Sequence, residues 1–388
     1  MFNGEILKQL RLLYGMSRKD LAEKLNITEQ AVWQFEKSSI SPKASIKLKM
    51  SQIFGVRSDY FSGDRLSNKF DMSLVAFRNE SDVTRKSIEI QNAYLNTLYS
   101  LVTYLETMVN IYKMSILNLS EQVSKMFSDG VKLEEIALFA KRFLNISKDN
   151  SDLLFKLEKS GIYVFEHDML ADEDAYSIWS VDDRPFIILG IGKTAVRRNF
   201  DLAHELGHIL LHRGIDFSTL TREEFLEKES EANNFASYFL LPEETFREDM
   251  INLVGKRVSN PDNYISLKQK YLVSIQALEY RAFKLGMVTA SQHSYFYRLI
   301  HKNEYKFFEP LDGDIVVKRP SKIRSVFHTI LTSNFFTLNG LLAGLKVDIR
   351  FICSLLAIDS SFFDKYADVD NIEDFNKIIS LEDVRKTR

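Results

Sequence analysis

The sequence predicts a mainly α-helical protein of several domains, one of which is a small α+β domain. At 388 residues the chain is too long for one ordinary domain. Apolar residues recur at helical spacing over most of the chain, beginning with a compact set of short helices in residues 1–66. Strand-like runs are concentrated between residues 161 and 189, directly before an amphipathic helix over 193–212, and this region predicts the α+β domain.

The composition indicates a globular protein of the cytoplasm. Hydrophobic residues make up 45% of the chain and charged residues 27%, and no apolar stretch is long enough to span a bilayer. The start, Met1 to Glu5, lacks the basic and apolar runs of a signal peptide. The single cysteine, Cys353, lies in an apolar segment and has no partner for an intrachain disulfide. We therefore expect a cytoplasmic protein without membrane association.

Changes in pattern along the chain predict four consecutive segments. They are a helical domain over residues 1–66, a helical connector over 67–150, the α+β domain over 151–290 and a C-terminal domain of unknown role over 291–388. Apolar residues at helical spacing between Val83 and Lys113 predict a long helix, either a connector or the dimer helix of a homodimer. In the C-terminal segment we expect strand-like pieces between Tyr295 and Val317 and helix between Thr337 and Lys365.

The first segment has the spacing of a helix-turn-helix domain. It holds 11 Lys or Arg and 7 Asp or Glu, a net charge of +4, which leaves -6 on the remainder of a chain whose total is -2. Ser17 is placed to cap a helix from Arg18 to Leu25, and Thr28 to cap the next helix, which runs to Lys37. Two short helices around a tight turn place the second one in the major groove of DNA.

This pattern resembles the phage-repressor (Xre-like) helix-turn-helix family across residues 3 to 64. The resemblance implies base contacts from the third helix and phosphate contacts around it: Glu29, Gln30, Trp33 and Gln34 for bases, and Arg18, Thr28 and Lys43 for phosphates. Gln30 would pair with adenine, whereas Trp33 is unusual at its position and would alternatively pack on the DNA backbone or in a dimer contact. The competing interpretation is a helical dimerisation module that binds no DNA.

The most informative stretch of the chain is His204-Glu205-Leu206-Gly207-His208, inside the predicted helix over 193–212. Four residues are just over one helical turn, so both histidines project from one face and can bind one Zn²⁺. Glu205 then lies beside the open position of the ion, where it can deprotonate a bound water. The alternative is a surface helix with two solvated histidines, but the apolar neighbours indicate a buried helix, whose polar groups need partners.

His212 continues the four-residue spacing but is not a candidate for the third ligand. Eight residues of helix separate it from His204, which is about 12 Å along the axis. One ion with ligand bonds of roughly 2 Å cannot bind both. The third ligand is therefore expected on a second helix. The sequence predicts this helix over residues 223–241, with Pro242 ending it.

Glu231 is the ligand that we predict on this second helix. It stands four residues before Phe235, at the head of the apolar stripe, and is therefore expected to point inward. Glu227 lies one turn further back and is the competitor. Glu229 does not lie on this face, and the glutamates at the start of the helix are expected to be solvated.

The stretch from Arg197 to His212, followed by Glu231-Ala232-Asn233-Asn234-Phe235-Ala236 and Leu240-Leu241-Pro242, resembles the ImmA/IrrE family of zinc metallopeptidases. A third matching stretch runs from Leu267 to Arg281, so the similarity covers roughly residues 153–287. The resemblance implies a zincin-like metallopeptidase domain in which Zn²⁺ is bound by His204, His208 and Glu231, with Glu205 as the catalytic base. It also implies that Asn234 orients a ligand and that Tyr280 and Arg281 stabilise an oxyanion, although packing and salt-bridge roles fit these two residues equally.

Together the two resemblances predict a DNA-binding transcriptional regulator with a zinc-dependent endopeptidase domain. Members of the resembled peptidase family cleave repressor proteins in stress-response or mobile-element switches, so a repressor protein is the expected substrate and operator DNA the expected partner. The alternative is a non-proteolytic transcription factor or antitoxin whose peptidase-like domain binds a toxin or an effector ligand. The presence of Glu205 favours the enzyme, because a site without activity would be free to lose its base.

Overall fold

The structure is a computed structural model that describes residues 1–63, 68–76, 85–110, 115–167, 175–333, 335–366 and 379–380. These residues belong to two compact units. The first unit comprises Met1–Met72, Asn79–Tyr112 and Ile323–Arg388, and the second comprises Ser73–Arg78 and Lys113–Lys322. The sequence divided the chain into consecutive segments, whereas in the structure the predicted connector and the C-terminal segment are each shared between the two units.

The first unit begins with four helices, which are α1 Gly4–Leu13, α2 Arg18–Leu25, α3 Glu29–Glu36 and α4 Ala44–Phe54. Ser17 caps α2 in a capping box with Asp20, and the Thr28 hydroxyl accepts a hydrogen bond from the Ala31 N–H at the start of α3. Asn26 turns the chain between α2 and α3 in the left-handed region, with φ 55°. The predicted helix-turn-helix is confirmed, because these caps and this turn fix where each helix begins and ends.

A buried carboxylate holds the first three helices together. The Glu36 carboxylate accepts hydrogen bonds from Arg11 Nε at 2.5 Å and from Arg18 Nε at 2.7 Å. Arg11 also donates to the Met16 carbonyl at 2.7 Å. Removing one partner of a buried ion pair costs about 3–5 kcal/mol. Arg18 therefore has a structural role that the sequence did not reveal.

The next helix, α5, runs from Arg85 to Glu106 and packs against α1. One face of α5 is buried along its length, including Leu95, Leu98, Val102 and Leu105. α5 is a core helix of the first unit. Packing within this unit therefore explains its apolar spacing, for which the sequence allowed two interpretations, a connector or a dimer helix. A two-residue strand, β1 Val109–Asn110, follows it.

The second unit contains three helices followed by a three-stranded sheet. The helices are α6 Ser115–Ser128, α7 Leu133–Phe143 and α8 Leu153–Ser160, and the strands are β2 Tyr163–His167, β3 Ala175–Trp179 and β4 Pro185–Gly190. The strand order is β2-β4-β3, in which β4 is parallel to β2 and antiparallel to β3. The predicted strands are confirmed, a turn at Asp183 with φ 64° separates β3 from β4, and β3 lies at one edge of the sheet.

Two long helices follow the sheet. They are α9 Ala195–Leu211, capped by Thr194, and α10 Arg222–Leu240, capped by Thr221 in a capping box with Glu224. α9 contacts both the sheet and α10, and α10 also packs on α7. Their shared core contains fully buried apolar side chains, among them Leu206, Phe235 and Phe239. This packing places the face of α9 that carries the histidines against α10.

The rest of the second unit is helical. It continues through α11 Glu243–Asp249, a π-helical turn Met250–Val254, α12 Ile265–Tyr271, α13 Ile275–Lys284 and α14 Ala290–Lys302. The prediction of strand-like pieces between Tyr295 and Val317 is wrong, since Tyr295 lies in α14 and residues 303–317 contain no strand. A capping box of Thr289 and Gln292 begins α14, and this local signal outweighs the strand preference of its aromatic residues.

The chain then returns to the first unit. Its last elements are α15 Lys322–Thr332, α16 Leu338–Leu345, α17 Ile349–Leu356, α18 Ser361–Asp364 and the strand β5 Ile379–Ser380, which pairs in parallel with β1. The Tyr94 hydroxyl on α5 donates to the Leu355 carbonyl at 3.1 Å, and the Arg57 N–H donates to the Lys346 carbonyl at 2.8 Å. The helix predicted between Thr337 and Lys365 is confirmed. No described helix is long and apolar enough to cross a membrane.

Candidate metal centre and nucleic-acid interface

Helices α9 and α10 approach each other most closely at Gly207. A Cβ atom added to Gly207 would lie 3.3 Å from the Cα of Ala232 and 3.3 Å from Cδ1 of Phe235. The absence of a side chain at Gly207 and the small side chain of Ala232 therefore let the two backbones meet. Residues one turn away from this crossing point on either helix face one another.

His204, His208 and Glu229 meet beside this crossing point. The Nε2 atoms of His204 and His208 are 3.1 Å apart. Glu229 Oε1 lies 3.2 Å from His208 Nε2, and Glu229 Oε2 lies 3.6 Å from His204 Nε2. One ligand atom from each residue lies within 4.8 Å of the others. Two imidazole nitrogens and one carboxylate oxygen can hold a metal ion at their centre.

The structure corrects our choice of Glu231 for this cluster. Glu229 precedes Ala232 by three residues and lies on the same face of α10, next to the crossing with α9. Glu231 is adjacent to Ala232 in sequence and is therefore turned about 100° away around the helix. The apolar stripe around Phe235 indicates a different inward face, whereas the pair of small residues, Gly207 and Ala232, marks where α9 lies.

Glu231 instead contacts His212, the residue excluded as a ligand. His212 Nε2 lies 2.8 Å from Glu231 Oε2, and His212 Nδ1 lies 2.9 Å from His208 Nδ1. Lys228 Nζ donates to both Glu231 oxygens at 3.0 and 3.1 Å. A chain of contacts therefore runs from the carboxylate of Glu231 through His212 to the ring of His208.

This chain of contacts fixes which ring nitrogen of His208 is free to bind a metal. A carboxylate only accepts, so His212 Nε2 donates to Glu231 and the Nδ1 of a neutral His212 is an acceptor. His208 Nδ1 must then donate to His212, and in a neutral His208 this leaves the lone pair on Nε2. These proton positions are assigned from the network of contacts.

The ring of His204 also has a hydrogen-bond partner at Nδ1. This partner is the residue next to Asn234, which the sequence predicted for this role. His204 Nδ1 lies 3.1 Å from Asn233 Oδ1, which accepts a hydrogen bond from Nδ1–H, so that in a neutral ring the lone pair is on Nε2. Asn233, rather than Asn234, therefore contacts the ring of His204. Asn234 donates only a weak hydrogen bond to Ser230 Oγ at 3.4 Å among its described side-chain contacts.

The residues present fit Zn²⁺. Two Nε2 lone pairs face each other at 3.1 Å, with a carboxylate beside them. Two nitrogens bound at about 2.0–2.1 Å to a tetrahedral ion lie roughly 3.3 Å apart, which is close to the spacing seen here. The three side chains therefore form a candidate metal centre.

Glu205 lies beside the cluster and is 5% exposed. Burial raises the pKa of the Glu205 carboxyl to about 7, although the nearby His208 lowers it in part. Ser177 on β3 donates its hydroxyl proton to the Glu205 carbonyl at 3.3 Å, which ties this turn of α9 to the edge strand. A carboxyl whose pKa lies near neutrality can both take up and release a proton.

The two residues predicted to stabilise an oxyanion, Tyr280 and Arg281, lie in different environments. Tyr280 is partly exposed and lines a cleft of about 590 Å³ together with Glu229, Asn233 and Asn234. Arg281 is buried, and its guanidinium donates to the Leu241 carbonyl at 3.2 Å and pairs with Glu134. Arg281 therefore stabilises the C-terminal end of α10, which favours the salt-bridge role, whereas Tyr280 stays a prediction.

The predicted DNA-contacting residues lie on and around α3. Thr28, Glu29, Gln30, Trp33 and Lys43 are exposed, and Gln34 is half-buried. Trp33 is 40% exposed, which is unusual for so large an apolar side chain and leaves it available for a contact outside the domain. Arg18, held by Glu36, is the only one of the seven predicted residues with an ion pair in the described structure.

Comparison with known proteins matches two regions of the chain. The model of the IrrE N-terminal-like domain, a peptidase family, matches residues 157–283, and a helix-turn-helix model matches residues 7–61. The HTH-type transcriptional regulator ImmR of Bacillus subtilis (strain 168) is 34% identical over 86 residues, 22% of this chain and 61% of ImmR. An uncharacterized HTH-type transcriptional regulator of Methanocaldococcus jannaschii is 33% identical over 51 residues, 13% of this chain and 77% of that protein. The chain thus spans less than two thirds of ImmR, and the matches confirm both resemblances drawn from the sequence.

Proposed function

The chain belongs to the helix-turn-helix family of transcriptional regulators and carries an IrrE/ImmA-like peptidase domain, and we propose that this domain is an active zinc endopeptidase that cleaves a repressor protein. The observation that supports activity is the meeting of His204, His208 and Glu229 directly beside the buried Glu205. A metal site that only stabilises the fold is usually closed by four protein ligands. Three such residues and an adjacent carboxylate are the minimum that a hydrolytic centre needs.

In this proposal each residue has a defined task. His204, His208 and Glu229 would hold Zn²⁺, which when bound would supply Lewis-acid polarisation of the scissile carbonyl. Glu205 takes a proton from the attacking water and passes it to the leaving nitrogen of the peptide. The raised pKa of Glu205 suits the second of these transfers, because the carboxyl holds its proton near neutral pH until the amine takes it. Asn233 and His212 keep the two ligand rings in the orientation that binding requires.

The proposed partners follow from the two domains. The helix-turn-helix domain implies DNA binding, and the exposed face of α3 with Gln30 and Trp33 is the proposed surface for the major groove. The proposed substrate is a helix-turn-helix repressor, in a switch that controls a stress response or a mobile element. The family resemblance supports this substrate class.

The cleavage proposal is tested by comparing cells that contain the wild-type protein with cells that contain Glu205→Gln. New protein N-termini are labelled and identified by mass spectrometry in both strains. We expect a small set of N-termini that depends on Glu205 and includes a DNA-binding repressor. Identical sets of N-termini in the two strains, under conditions in which the wild-type protein regulates transcription, would contradict the proposal.

A second candidate is a regulator that cleaves nothing and uses the peptidase-like domain to bind a toxin or an effector. The observation that favours it is the small space beside Glu205 and His208, which measures only about 30 Å³. A peptide does not fit into that space. If Glu205→Gln retains full transcriptional regulation while deletion of residues 1–66 abolishes it, this second candidate is correct.

A further inference from the structure

A short segment between the helix-turn-helix domain and α5 belongs to the peptidase unit. Ser73–Arg78 is part of the second unit, although Met1–Met72 and Asn79–Tyr112 on either side belong to the first. Within the described residues 73–76 of this segment, the side chain of Val75 is buried and only 2% exposed. Residues that only link two units do not need to bury an apolar side chain. The segment is therefore docked on the second unit.

This segment closes the space beside the proposed base. Leu74 and Ala76 line the same cavity as Glu205 and His208. The cavity measures about 30 Å³, room for about two water molecules. Sites that take up organic ligands measure roughly 300–1,000 Å³. With residues 74 and 76 in place, a peptide cannot reach Glu205 from this side.

The wall opposite the segment is the edge strand of the sheet. Ser177, Ile178 and Trp179 of β3 line the cavity, and β3 pairs on its other side with β4. An edge strand can bind an extended peptide through its backbone groups, with selectivity from pockets for alternate side chains. Ser177 also contacts the turn of α9 that holds Glu205, so a peptide along β3 would pass directly beside the base.

On this geometry, and resting on the proposed peptidase function, we propose that residues 73–76 occupy the substrate-binding groove and exclude substrate from it. The segment is a built-in competitor that must leave before a peptide enters. It also indicates the substrate class, because the groove accepts the uncharged, aliphatic side chains of Leu74 and Ala76. The substrate is therefore a peptide with small or aliphatic residues at the positions that face the groove.

The apolar walls support this substrate class. Phe217 lies across the cavity with its ring centroid 5.8 Å from the ring of His208, and Ile209 and Trp179 complete the lining. The Trp179 ring nitrogen donates to the Ile209 carbonyl at 3.2 Å, so its indole is held in place and offers no free donor to a ligand. A charged side chain at the position of Leu74 would lose part of its hydration in this lining.

Tethering explains how a weakly bound segment can compete with a substrate. A segment joined to the protein by a short chain has an effective concentration in the millimolar range. A free peptide of equal intrinsic affinity would therefore occupy the groove only when the segment is released. A substitution that weakens binding of the segment to the groove should raise the apparent affinity for a peptide. The increase should be proportional to the fraction of protein molecules in which the groove is open.

The test measures binding of a fluorescein-labelled peptide with the sequence of residues 70–76, followed by fluorescence anisotropy. All proteins are full-length and zinc-loaded and carry Glu205→Gln, so that the peptide is not cleaved. We expect Leu74→Asp to bind the peptide at least about ten-fold more tightly than the protein with an intact segment. The matched control is Ile251→Asp, which places the same charge at a 67% exposed aliphatic residue of the second unit and should leave the affinity unchanged.

Equal affinities for the Leu74→Asp protein and the protein with an intact segment, or no saturable binding to either, would overturn the proposal. A second measurement needs no substitution in the segment. In the protein carrying only Glu205→Gln, backbone amides of residues 73–76 should be protected from hydrogen exchange and should lose this protection when the peptide is present in excess. Amides that exchange freely without the peptide would also overturn it. Absence of Glu205-dependent cleavage with an intact affinity shift would contradict the peptidase function and leave the groove assignment standing.

Discussion

His212 Nε2 lies 2.8 Å from Glu231 Oε2, and the same ring contacts His208, one of the proposed zinc ligands. The carboxylate makes His212 an acceptor for His208 Nδ1–H, which directs the lone pair of His208 toward Glu229 and His204. We expect Glu231→Ala and His212→Ala each to weaken Zn²⁺ binding by about 10- to 100-fold, the usual effect of losing a residue that orients a ligand.

Competition with a chromophoric chelator measures these affinities. Glu227→Ala is the matched control, because it removes a glutamate one turn away on the same helix, and it should bind Zn²⁺ like the wild type. If Glu231→Ala and Glu227→Ala are indistinguishable, the contact with His212 does not orient the site.

The crossing of α9 and α10 predicts a graded response at Gly207. Gly207→Ala places a Cβ 3.3 Å from the Ala232 backbone, which requires a small shift, whereas Gly207→Val requires the helices to separate. We expect Gly207→Val to lower the free energy of unfolding by about 1–3 kcal/mol, as overpacking of a core does. Zinc affinity should fall in the same order, because Glu229 is carried by α10 and the two histidines by α9. Urea unfolding and chelator competition measure both effects, and a Gly207→Val protein with wild-type stability and affinity would contradict the account.

Lys141 predicts a pH dependence of stability that does not involve the metal centre. Its ammonium is buried and donates to Asn150 Oδ1 at 2.6 Å, and Asn150 in turn donates to the Leu240 and Tyr271 carbonyls at 3.1 and 2.9 Å. Burial lowers the pKa of Lys141 from 10.5 to about 8. Between these two values the unfolded chain holds a proton that the folded protein has released, so the free energy of unfolding rises with pH.

The size of this rise follows from the pKa difference and is on the order of 3 kcal/mol across the whole window. Lys141→Met should remove it, and below about pH 8 the Met variant should show the same pH dependence as the wild type. Because tyrosines also titrate above pH 10, the informative quantity is the difference between the two proteins in chemical unfolding at each pH. A constant difference from pH 7 to pH 10 would contradict the lowered pKa.

The exposed face of α3 predicts two kinds of DNA-binding variant. Gln30→Ala and Gln34→Ala should relax sequence preference, because amide side chains read base edges. Lys43→Ala should weaken binding to all sequences alike and reduce the salt dependence, because it removes one phosphate contact. A gel-shift series over salt concentration and operator variants separates these effects. Failure to bind any sequence of its own promoter region at low salt would support a dimerisation module instead.

The features that the sequence predicted correctly depend on neighbours along the chain. Ser17 and Thr28 cap their helices through residues three positions later, and His204 and His208 share a face because a helix repeats every 3.6 residues. The choice between Glu229 and Glu231 depends on where α9 crosses α10, which is a contact between segments distant in sequence. The same holds for Leu74, which lines one cavity with Glu205 and His208, a proximity that no local pattern indicates.

The grouping of the C-terminal helices with the N-terminal ones is another long-range property. α16 and α17 are held near the end of α4 by backbone hydrogen bonds between residues almost 300 positions apart, such as Asp348 N–H to the Gly55 carbonyl at 2.8 Å. Sequence patterns predicted these helices as helices, because their apolar residues recur at helical spacing. The same patterns contain no information on which domain buries the apolar residues of these helices.

The central claim is that His204, His208 and Glu229 hold one Zn²⁺ beside Glu205, and its most direct test is the zinc content of four purified proteins. After dialysis against metal-free buffer, elemental analysis should find about one Zn²⁺ per chain in the wild type and in Glu205→Gln, since Glu205 is not a ligand in this account. His208→Ala and Glu229→Ala should have lost most of their zinc under the same conditions. A Glu229→Ala protein that retains as much zinc as the wild type, or a wild-type protein that binds none when zinc is supplied, would contradict the claim.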